Sequence, residues 1–568
     1  MRDTRKRAPR WLTNPGLRVV ILVYVAIALG VTFPFILDPS HTLTAPLHAD
    51  VASSVSKFQA LVREQQNPFF PSHLSSIGWP NGVTLDPTVD RVAWLNTLYL
   101  WISTLLLGSI ATHSLLYFLG MVVTAVVTCL FVRRVTGSLA AGFIAGLAFG
   151  FFPHLYLMGW AAPTYTWMWM ILLPIWGFYN LALTPSVRNG TIAGLTPLPA
   201  MFWTPYFALH ALLVAFACGV VLAASTIMLR DVGGRRLLQF APAVIIPACG
   251  LAVYVLIGAL SHFGGVPTRS VEDAFQESAQ PLMFVIPGWH SVWGNGPDDF
   301  LVRHVPRARY ANLYVGYTVM ALGLVALATT ARTLRQQRTT ALRSGLVLAT
   351  LMAATVVAIC FLFSLPPRLA FHAHSIPMPD DIVIHVQPAF RAGQRLVMPL
   401  MGGMAVLAGL GVSVILKKVP RRGVPVFILV VASLVWIDLF ARPPEAVNRL
   451  PQSPALAALR TQPPGPVFQY IPSPLALGRF PSVRSCLLQP QYDKPLADTC
   501  ELAQQSEDYE RWLAHPDCTT LAEIRQFGVR YVIVDDSLTN LLRCMQTDLA
   551  GQNRRVADDG RLSVYQFT

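Results

Sequence analysis

The stretch Leu43-Thr44-Ala45-Pro46-Leu47-His48-Ala49-Asp50 is the first long polar segment of a very apolar chain. It follows an apolar run, at about Leu17–Leu37, that is long enough to cross a bilayer. It also opens the loop 38–91, in which Asp50 begins a helical pattern. Apolar residues then recur every three or four positions, as on one face of a helix, at Val51, Val55, Phe58 and Val62. The pattern predicts an amphipathic helix that lies along a membrane surface.

The composition places the whole chain in a membrane. Of 568 residues, 54% are hydrophobic and 13% charged, and the mean hydropathy is +0.49. Charged residues make up about a quarter of an ordinary soluble domain, so the expected surroundings are a lipid bilayer. The net charge of +14 does not indicate a nucleic-acid partner, because lysine and arginine gather in short segments between apolar runs. That distribution is typical of cytoplasmic loops.

Hydropathy predicts about eleven transmembrane helices in a membrane domain of residues 1–442. The basic N-terminus is expected in the cytoplasm, and the first apolar run is long for the alternative, a cleaved signal peptide. The loops 38–91, 261–310 and 366–395 then face outward, and the segment 92–110 is predicted to be re-entrant or partly buried. The spans are expected at about 17–37, 114–132, 138–153, 164–183, 190–205, 207–229, 237–260, 311–331, 344–365, 396–416 and 424–441.

Residues 443–568 are predicted to form a small extracytoplasmic α/β domain, so the fold class is mainly α with this domain appended. Strands are expected at 467–471 and 531–534, and helical pieces near 453–460, 507–514 and 519–526. Four cysteines in such a domain predict two disulfides, with three pairings open. These are Cys486, Cys500, Cys518 and Cys544.

Carboxylates and histidines of the outer loops are the candidates for catalysis. Asp50 is the proposed general base, and its alternative role is a helix N-cap; both are favoured at a helix N-terminus. His48 is a neighbouring accessory group. Asp90, His154 and Glu272 are further accessory candidates, with turn, interface and solvated-helix roles as their alternatives. The metal requirement is left unknown, with a divalent cation beside Asp50 as one option.

Arginines in outer loops run against the usual charge distribution of membrane proteins. Arg391 and Arg395 are four positions apart and so share a helix face. Arg269 lies in the preceding outer loop. The guanidinium group pairs bidentately with phosphate, so these three are the predicted phosphate ligands; the alternative is that they extend from nearby span ends to the interface.

Several short motifs resemble the GT-C superfamily, the multi-spanning glycosyltransferases that use polyprenyl-phosphate sugars. The resemblance covers most of residues 1–440 and includes the early acid of the first outer loop, a position that only Asp50 matches. It implies that this acid acts as general base or metal ligand. The motifs are Phe152-Pro153-His154, the segment 280–287 (QPLMFVIP), Tyr314-Val315-Gly316-Tyr317 and the segment 390–395 (FRAGQR).

The expected function is therefore transfer of a hexose or pentose from a polyprenyl-phosphate donor to a cell-envelope acceptor. The acceptor would be a glycan, a glycolipid or a protein on the outer face of a bacterial plasma (inner) membrane. The alternative is a non-enzymatic envelope-assembly protein, or a lipid or glycolipid transporter, on the same scaffold. Asn separates the two at position 50, because it caps a helix about as well as Asp but does not accept the proton.

Overall fold

The structure is a computed structural model of the chain, and it divides into two compact units. Unit 1 comprises residues 1–31, 117–159 and 163–444; unit 2 comprises residues 32–116, 160–162 and 445–568. The structure describes the chain from Asn14 onward except residues 45–48, 86–91, 160–161, 232, 261–274, 276, 289–290, 294–296, 298–299, 301–302, 304–312, 372–373, 387–392, 441–447, 451, 472–482, 501–506 and 548.

Helices dominate the described residues. In chain order they are α1 Pro15–Thr32, α2 Ala49–Arg63, α3 Trp94–Leu107, α4 Ser109–Thr136, α5 Leu139–Gly150, α6 Pro153–Gly159, α7 Trp169–Leu183, α8 Val187–Leu195, α9 Leu198–Met201, α10 Pro205–Met228, α11 Gly234–Leu260, α12 Tyr317–Gln337, α13 Gly345–Ser364, α14 Pro379–Val386, α15 Val397–Leu416, α16 Val424–Leu439, α17 Pro454–Arg460, α18 Val483–Tyr492, α19 Glu507–Ala514, α20 Cys518–Gln526 and α21 Thr539–Gln546.

The strands are short. They are β1 Thr42–Leu43, β2 His73–Leu74, β3 Val83–Thr84, β4 Arg368–Phe371, β5 His374–Pro377, β6 Asn448–Arg449, β7 Val467–Tyr470, β8 Tyr531–Asp535, β9 Asn553–Asp558 and β10 Leu562–Phe567. β7, β8, β10 and β9 form one sheet in that order, in which β7 and β8 run parallel and the other neighbours antiparallel. The three remaining sheets among the described residues are two-stranded antiparallel pairs.

In the described part of the chain, nine helical segments are long and apolar enough to cross a membrane. They match nine of the eleven predicted spans, so the prediction of a multi-pass helical membrane protein is confirmed, while the total of eleven is not. The span predicted at 138–153 is α5, whose 12 residues rise only about 18 Å against a hydrocarbon core of about 30 Å. The segment 92–110, which was predicted to be re-entrant or partly buried, contains the short 14-residue helix α3.

The span predicted at 190–205 is wrong as a continuous helix. The chain forms α8 and then the four-residue helix α9. Pro197 lies between them, and a proline has no backbone N–H to donate the next hydrogen bond of a helix. Gly190 and Gly194 of α8 face the backbone of α11, where a Cβ on either would collide with the carbonyl oxygens of Gln239 and Pro242. The apolar residues here serve close helix packing, which a hydropathy window does not distinguish from lipid contact.

Helix α15 lies at the centre of unit 1. It packs against α12, α13 and α5, and most of its side chains are buried. Hydrophobicity on all sides is the mark of a helix enclosed by others. The position of α15 therefore fixes where the residues just before it lie.

A buried carboxylate holds the start of α12. Asp438, 5% exposed near the end of α16, accepts hydrogen bonds from the Tyr314 hydroxyl (2.5 Å) and the Thr318 backbone N–H (2.7 Å). Gly316 has φ +95°, and a Cβ there would lie 2.7 Å from Leu439 Cδ2. Glycine adopts this φ without a steric penalty. The Tyr314–Tyr317 motif is thus a helix-capping element in this structure.

Replacing Asp438 by leucine should lower the thermal midpoint of the purified protein by several degrees. The change leaves a buried tyrosine hydroxyl and a helix N–H without their acceptor, which costs about 1–3 kcal/mol for each such group. The comparison is Asp231→Leu, which removes an exposed ion pair with Arg236 and is expected to change the midpoint little. Equal midpoints for wild type and Asp438→Leu would contradict the capping role.

Helix α2 belongs to unit 2, and its apolar face is covered by protein. Val51 and Val55 are 0% exposed and pack with Leu487 of α18. The Ser56 hydroxyl donates to the Cys486 carbonyl at 3.1 Å. The amphipathic pattern was predicted correctly, but the interpretation of its apolar side as a membrane-facing surface was wrong, because α18 covers that side.

The C-terminal part of unit 2 has the predicted α/β character. The expected strands are β7 and β8, and the expected helices are α17, α19 and α20. The sheet packs between two apolar clusters, one around Phe468 and Val532 and the other around Leu456 and Ile533. The structure selects one of the three disulfide pairings that the sequence left open: Cys486–Cys500 and Cys518–Cys544.

Candidate functional site

The turn Gly393–Leu396 brings together parts of the segments 261–310 and 366–395 of unit 1. The backbone N–H of Gln394 donates to the Glu277 carbonyl at 3.0 Å, and Gln394 Nε2 donates to Glu277 Oε2 at 2.9 Å. Asp380 lies beside Gly393, where an added Cβ would be 3.4 Å from Asp380 Oδ2. This turn leads directly into the buried helix α15. The polar residues of the turn are therefore attached directly to a rigid helix.

Arg395, in this turn, is held by two tyrosines. Its Nη1 donates to the Tyr165 hydroxyl at 2.8 Å. Its Cζ lies 5.0 Å from the ring centroid of Tyr165 and 4.2 Å from that of Tyr206. Aromatic faces attract a guanidinium by their quadrupole. The two tyrosines therefore orient the guanidinium of Arg395.

Two buried histidines accompany Arg395. His154 is 2% exposed and His210 is 0% exposed. Nε2 of His154 and both ring nitrogens of His210 have no hydrogen-bond partner within the described part of the chain. The rings of Phe152 and Phe207 lie 6.2 Å and 6.0 Å from the respective imidazoles. Buried polar atoms are normally hydrogen-bonded, so these nitrogens are unusual.

Arg395 acts on both imidazoles electrostatically. For His154, which lies on α6 outside the nine long apolar segments, burial and then the charge of Arg395 lower the pKa to about 3. The His154 ring is therefore neutral at physiological pH and offers one N–H donor and one lone pair. Together the residues form a half-buried cationic site with additional neutral hydrogen-bonding groups.

Asp380 is an acid that the sequence analysis did not single out. It is 2% exposed in the first turn of α14. Burial, and then the charge of Asp381, raise the pKa of the Asp380 carboxyl to about 7. Near neutral pH this carboxyl is therefore only partly ionised. It lies beside Gly393, which is two positions before Arg395 in the chain.

The predicted site residues fall into three groups. Arg395 and His154 lie together in unit 1, as just described. Asp50 is exposed in the first turn of α2, which begins at Ala49. The other predicted residues lie outside the described part of the chain: His48, Asp90, Arg269, Glu272 and Arg391.

His210 was missed by the sequence analysis although a signal was present. A histidine inside a transmembrane segment is by default a functional candidate, and His210 stands inside the span predicted at 207–229. No sequence pattern links Tyr165 and Tyr206 to an arginine some 200 positions later. Their role depends on tertiary contacts.

Three potential metal ligands cluster in unit 2, namely Cys486, Asp498 and Cys500. The two cysteines form a disulfide with each other, so neither offers a thiolate. Asp498 is 0% exposed and accepts hydrogen bonds from the Cys500 N–H (2.7 Å) and the Tyr509 hydroxyl (2.8 Å). These groups do not fit a metal ion. The hydrogen bonds of Asp498 instead stabilise the chain around the disulfide.

The fold thus defines a multi-pass membrane protein with a small α/β region and a cationic site at the start of a central helix. The chain belongs to the family described as "Domain of unknown function (DUF6311)", which matches residues 20–440. No curated protein sequence matches the chain.

The solved structures that are similar to this chain include the following three. ArnT from Cupriavidus metallidurans, in the apo state, is 14% identical with a TM-score of 0.47, and the match covers 96% of this chain and 98% of ArnT. The archaeal oligosaccharyltransferase AglB from Archaeoglobus fulgidus, in complex with an inhibitory peptide and a dolichol-phosphate, is 10% identical with a TM-score of 0.43, covering 93% and 70%. The arabinofuranosyltransferase AftD from Mycobacteria is 14% identical with a TM-score of 0.42, covering 97% and 41%.

Proposed function

We propose that this protein is a membrane glycosyltransferase that moves a sugar from a polyprenyl-phosphate donor to a cell-envelope acceptor. The observation that carries the proposal is Arg395, a half-buried guanidinium oriented by Tyr165 and Tyr206 at the start of a buried apolar helix. A guanidinium fork matches phosphate oxygens. The surrounding apolar helices suit an isoprenoid tail, so one ligand would satisfy both parts of the environment.

A lipid-linked donor also fits an outward-facing site, because nucleotide sugars are made in the cytoplasm. The donor's phosphate leaves when the anomeric carbon is attacked, and the positive charge of Arg395 stabilises the negative charge that develops on it. The acceptor, whether glycan, glycolipid or protein, supplies the attacking hydroxyl. The choice between hexose and pentose stays open.

Asp50 is the proposed general base. Its carboxylate is exposed in the first turn of α2. It takes the proton of the acceptor hydroxyl as the new bond to the anomeric carbon forms. The bond from that carbon to the phosphate oxygen breaks, and its electron pair leaves with the lipid phosphate. The proposed accessory residues are His48, Asp90 and Glu272. The further proposed phosphate-binding residues are Arg269 and Arg391, and a divalent cation is an additional option.

The test is transfer from a radiolabelled polyprenyl-phosphate sugar pool by membranes that contain matched amounts of each variant. Asp50→Asn should reduce incorporation at least about a hundred-fold, within the range of general-base contributions. Glu510→Gln is the matched control, since Glu510 is also an exposed acid in the first turn of a helix. It should retain full transfer.

The outcomes separate the parts of the proposal. Equal transfer by wild type and Asp50→Asn would keep the enzyme and remove Asp50 as its base. If wild type transfers no sugar from any polyprenyl-phosphate donor, the glycosyltransferase proposal is wrong. The envelope-assembly or lipid-transport alternative then gains weight.

A further inference from the structure

The imidazole of His210 faces the same group of residues as the guanidinium of Arg395. His210 lies on α10 four positions after Tyr206, so the two side chains share a helix face. The Tyr206 ring covers Arg395 at 4.2 Å. Phe207 links the group from the side, with its ring centroid 5.9 Å from Tyr165 and 6.0 Å from His210. The electrostatic interaction between Arg395 and His210 agrees with this placement.

The hydrogen-bonding state of His210 points to a ligand. Its side chain is 0% exposed, and neither ring nitrogen has a partner within the described residues. Leaving a buried polar group unsatisfied destabilises a protein, so a histidine kept only for packing would be better replaced by an apolar residue. An imidazole offers at least one N–H donor in either protonation state. Next to a guanidinium, such a donor suits an anion.

We infer that His210 is a direct ligand of the donor's phosphate, donating a ring N–H to a phosphate oxygen beside Arg395. This inference rests on the proposed function and names a second phosphate-binding residue for it. His154, whose Nε2 is also without a partner, lies close enough to His210 to interact with it electrostatically. The phosphate would therefore be held from two sides, by the guanidinium on one and by buried imidazole on the other.

The test measures binding of a tritiated long-chain polyprenyl phosphate to the full-length protein in nanodiscs. His210→Leu should weaken this binding about ten-fold or more, because a hydrogen bond to a charged group contributes about 1.5–3 kcal/mol. His210→Gln keeps a donor and should stay within about three-fold of wild type. The matched control is His113→Gln, at another fully buried histidine, which should leave binding unchanged.

Two further probes identify what is recognised. The matching polyprenol, which lacks phosphate, should bind wild type and His210→Leu equally. Inorganic phosphate should compete poorly with the tritiated polyprenyl phosphate for binding. If inorganic phosphate competes as well as unlabelled polyprenyl phosphate does, the site binds free phosphate and the lipid assignment is overturned. The rise in thermal midpoint on adding polyprenyl phosphate, taken relative to each variant's own unliganded midpoint, should be lost in His210→Leu. This readout holds even where that variant is less stable.

The two proposals fail in different ways. If wild type binds polyprenyl phosphate no better than polyprenol, the proposed donor class is wrong and the role of His210 fails with it. If wild type prefers the phosphate and His210→Leu shows the same affinity and the same midpoint rise, only the role of His210 is overturned. His210 would then be a buried histidine satisfied by ordered water.

Discussion

Arg395→Gln should abolish sugar transfer, with a loss of about a hundred-fold or more. The substitution removes the only charge in the group formed with Tyr165, Tyr206 and His154, where low polarity strengthens every electrostatic interaction. Removing one stabilising group from a developing anion typically costs 10²–10³-fold in rate. The measurement is initial-rate transfer from labelled polyprenyl-phosphate sugar, at matched protein levels.

Arg395→Lys distinguishes charge from shape. Lysine keeps the positive charge but not the planar fork that pairs with phosphate and stacks on tyrosine, so we expect transfer between wild type and Arg395→Gln. Arg368→Gln is the control, because Arg368 is an exposed arginine of the same segment 366–395 and should retain wild-type transfer. Full activity in Arg395→Gln would remove the observation on which the proposed function depends.

Asp380→Asn should stabilise the protein at pH 8 and do so much less at pH 5. The pKa of Asp380 in the folded protein is about 7, above the value of about 3.9 for an unfolded chain. Between these values the folded state holds the proton and the unfolded state releases it, so stability falls as the pH rises towards 7. Asp380→Asn has no carboxyl to ionise at this position, so its stability does not fall in this way as the pH rises. Its advantage over wild type should therefore grow by about 2–3 kcal/mol from pH 5 to pH 8.

The measurement is the thermal midpoint of both proteins across pH 5 to 8. Asp231→Asn is the control with the opposite sign: its hydrogen bond with Arg236 lowers the pKa of Asp231, so its contribution is lost only as the pH falls below the window measured. Its effect should stay constant from pH 5 to 8. A pH-independent effect of Asp380→Asn would show that the Asp380 carboxyl does not titrate near 7.

The apolar architecture followed from the sequence because membrane spans require long continuous runs, which hydropathy detects. The method failed at 190–205, where glycines and Pro197 turn an equally apolar run into two short packed helices. The C-terminal strands were found for a related reason, since the run at 531–534 is apolar on both faces and bounded by a turn. The helix pattern after Asp50 was also correct, but periodicity identifies an apolar face and does not say whether lipid or protein covers it.

The site was only partly predictable. Arg395 attracted attention because an outer-loop arginine contradicts the usual charge distribution, and that argument needs no tertiary information. His210 also carried a sequence signal, as a histidine inside a predicted span, whereas Asp380 needed tertiary information. The perturbed pKa of Asp380 arises from burial, a property of the assembled unit. The role of Asp50 stays a prediction.

The Asp438 carboxylate, which accepts a hydrogen bond from the first turn of α12, is synthesised long after that helix. Thr318 and Asp438 are 120 positions apart, and synthesis at about 5–20 residues per second separates them by roughly 6–24 s. During that interval α12 has emerged from the ribosome while its capping carboxylate has not. The start of this helix therefore lacks its Asp438 acceptor until α16 has been made. The last span, α16, thus acts as a late closure of the bundle, and chains truncated before it are expected to be recognised as unfinished by membrane quality control.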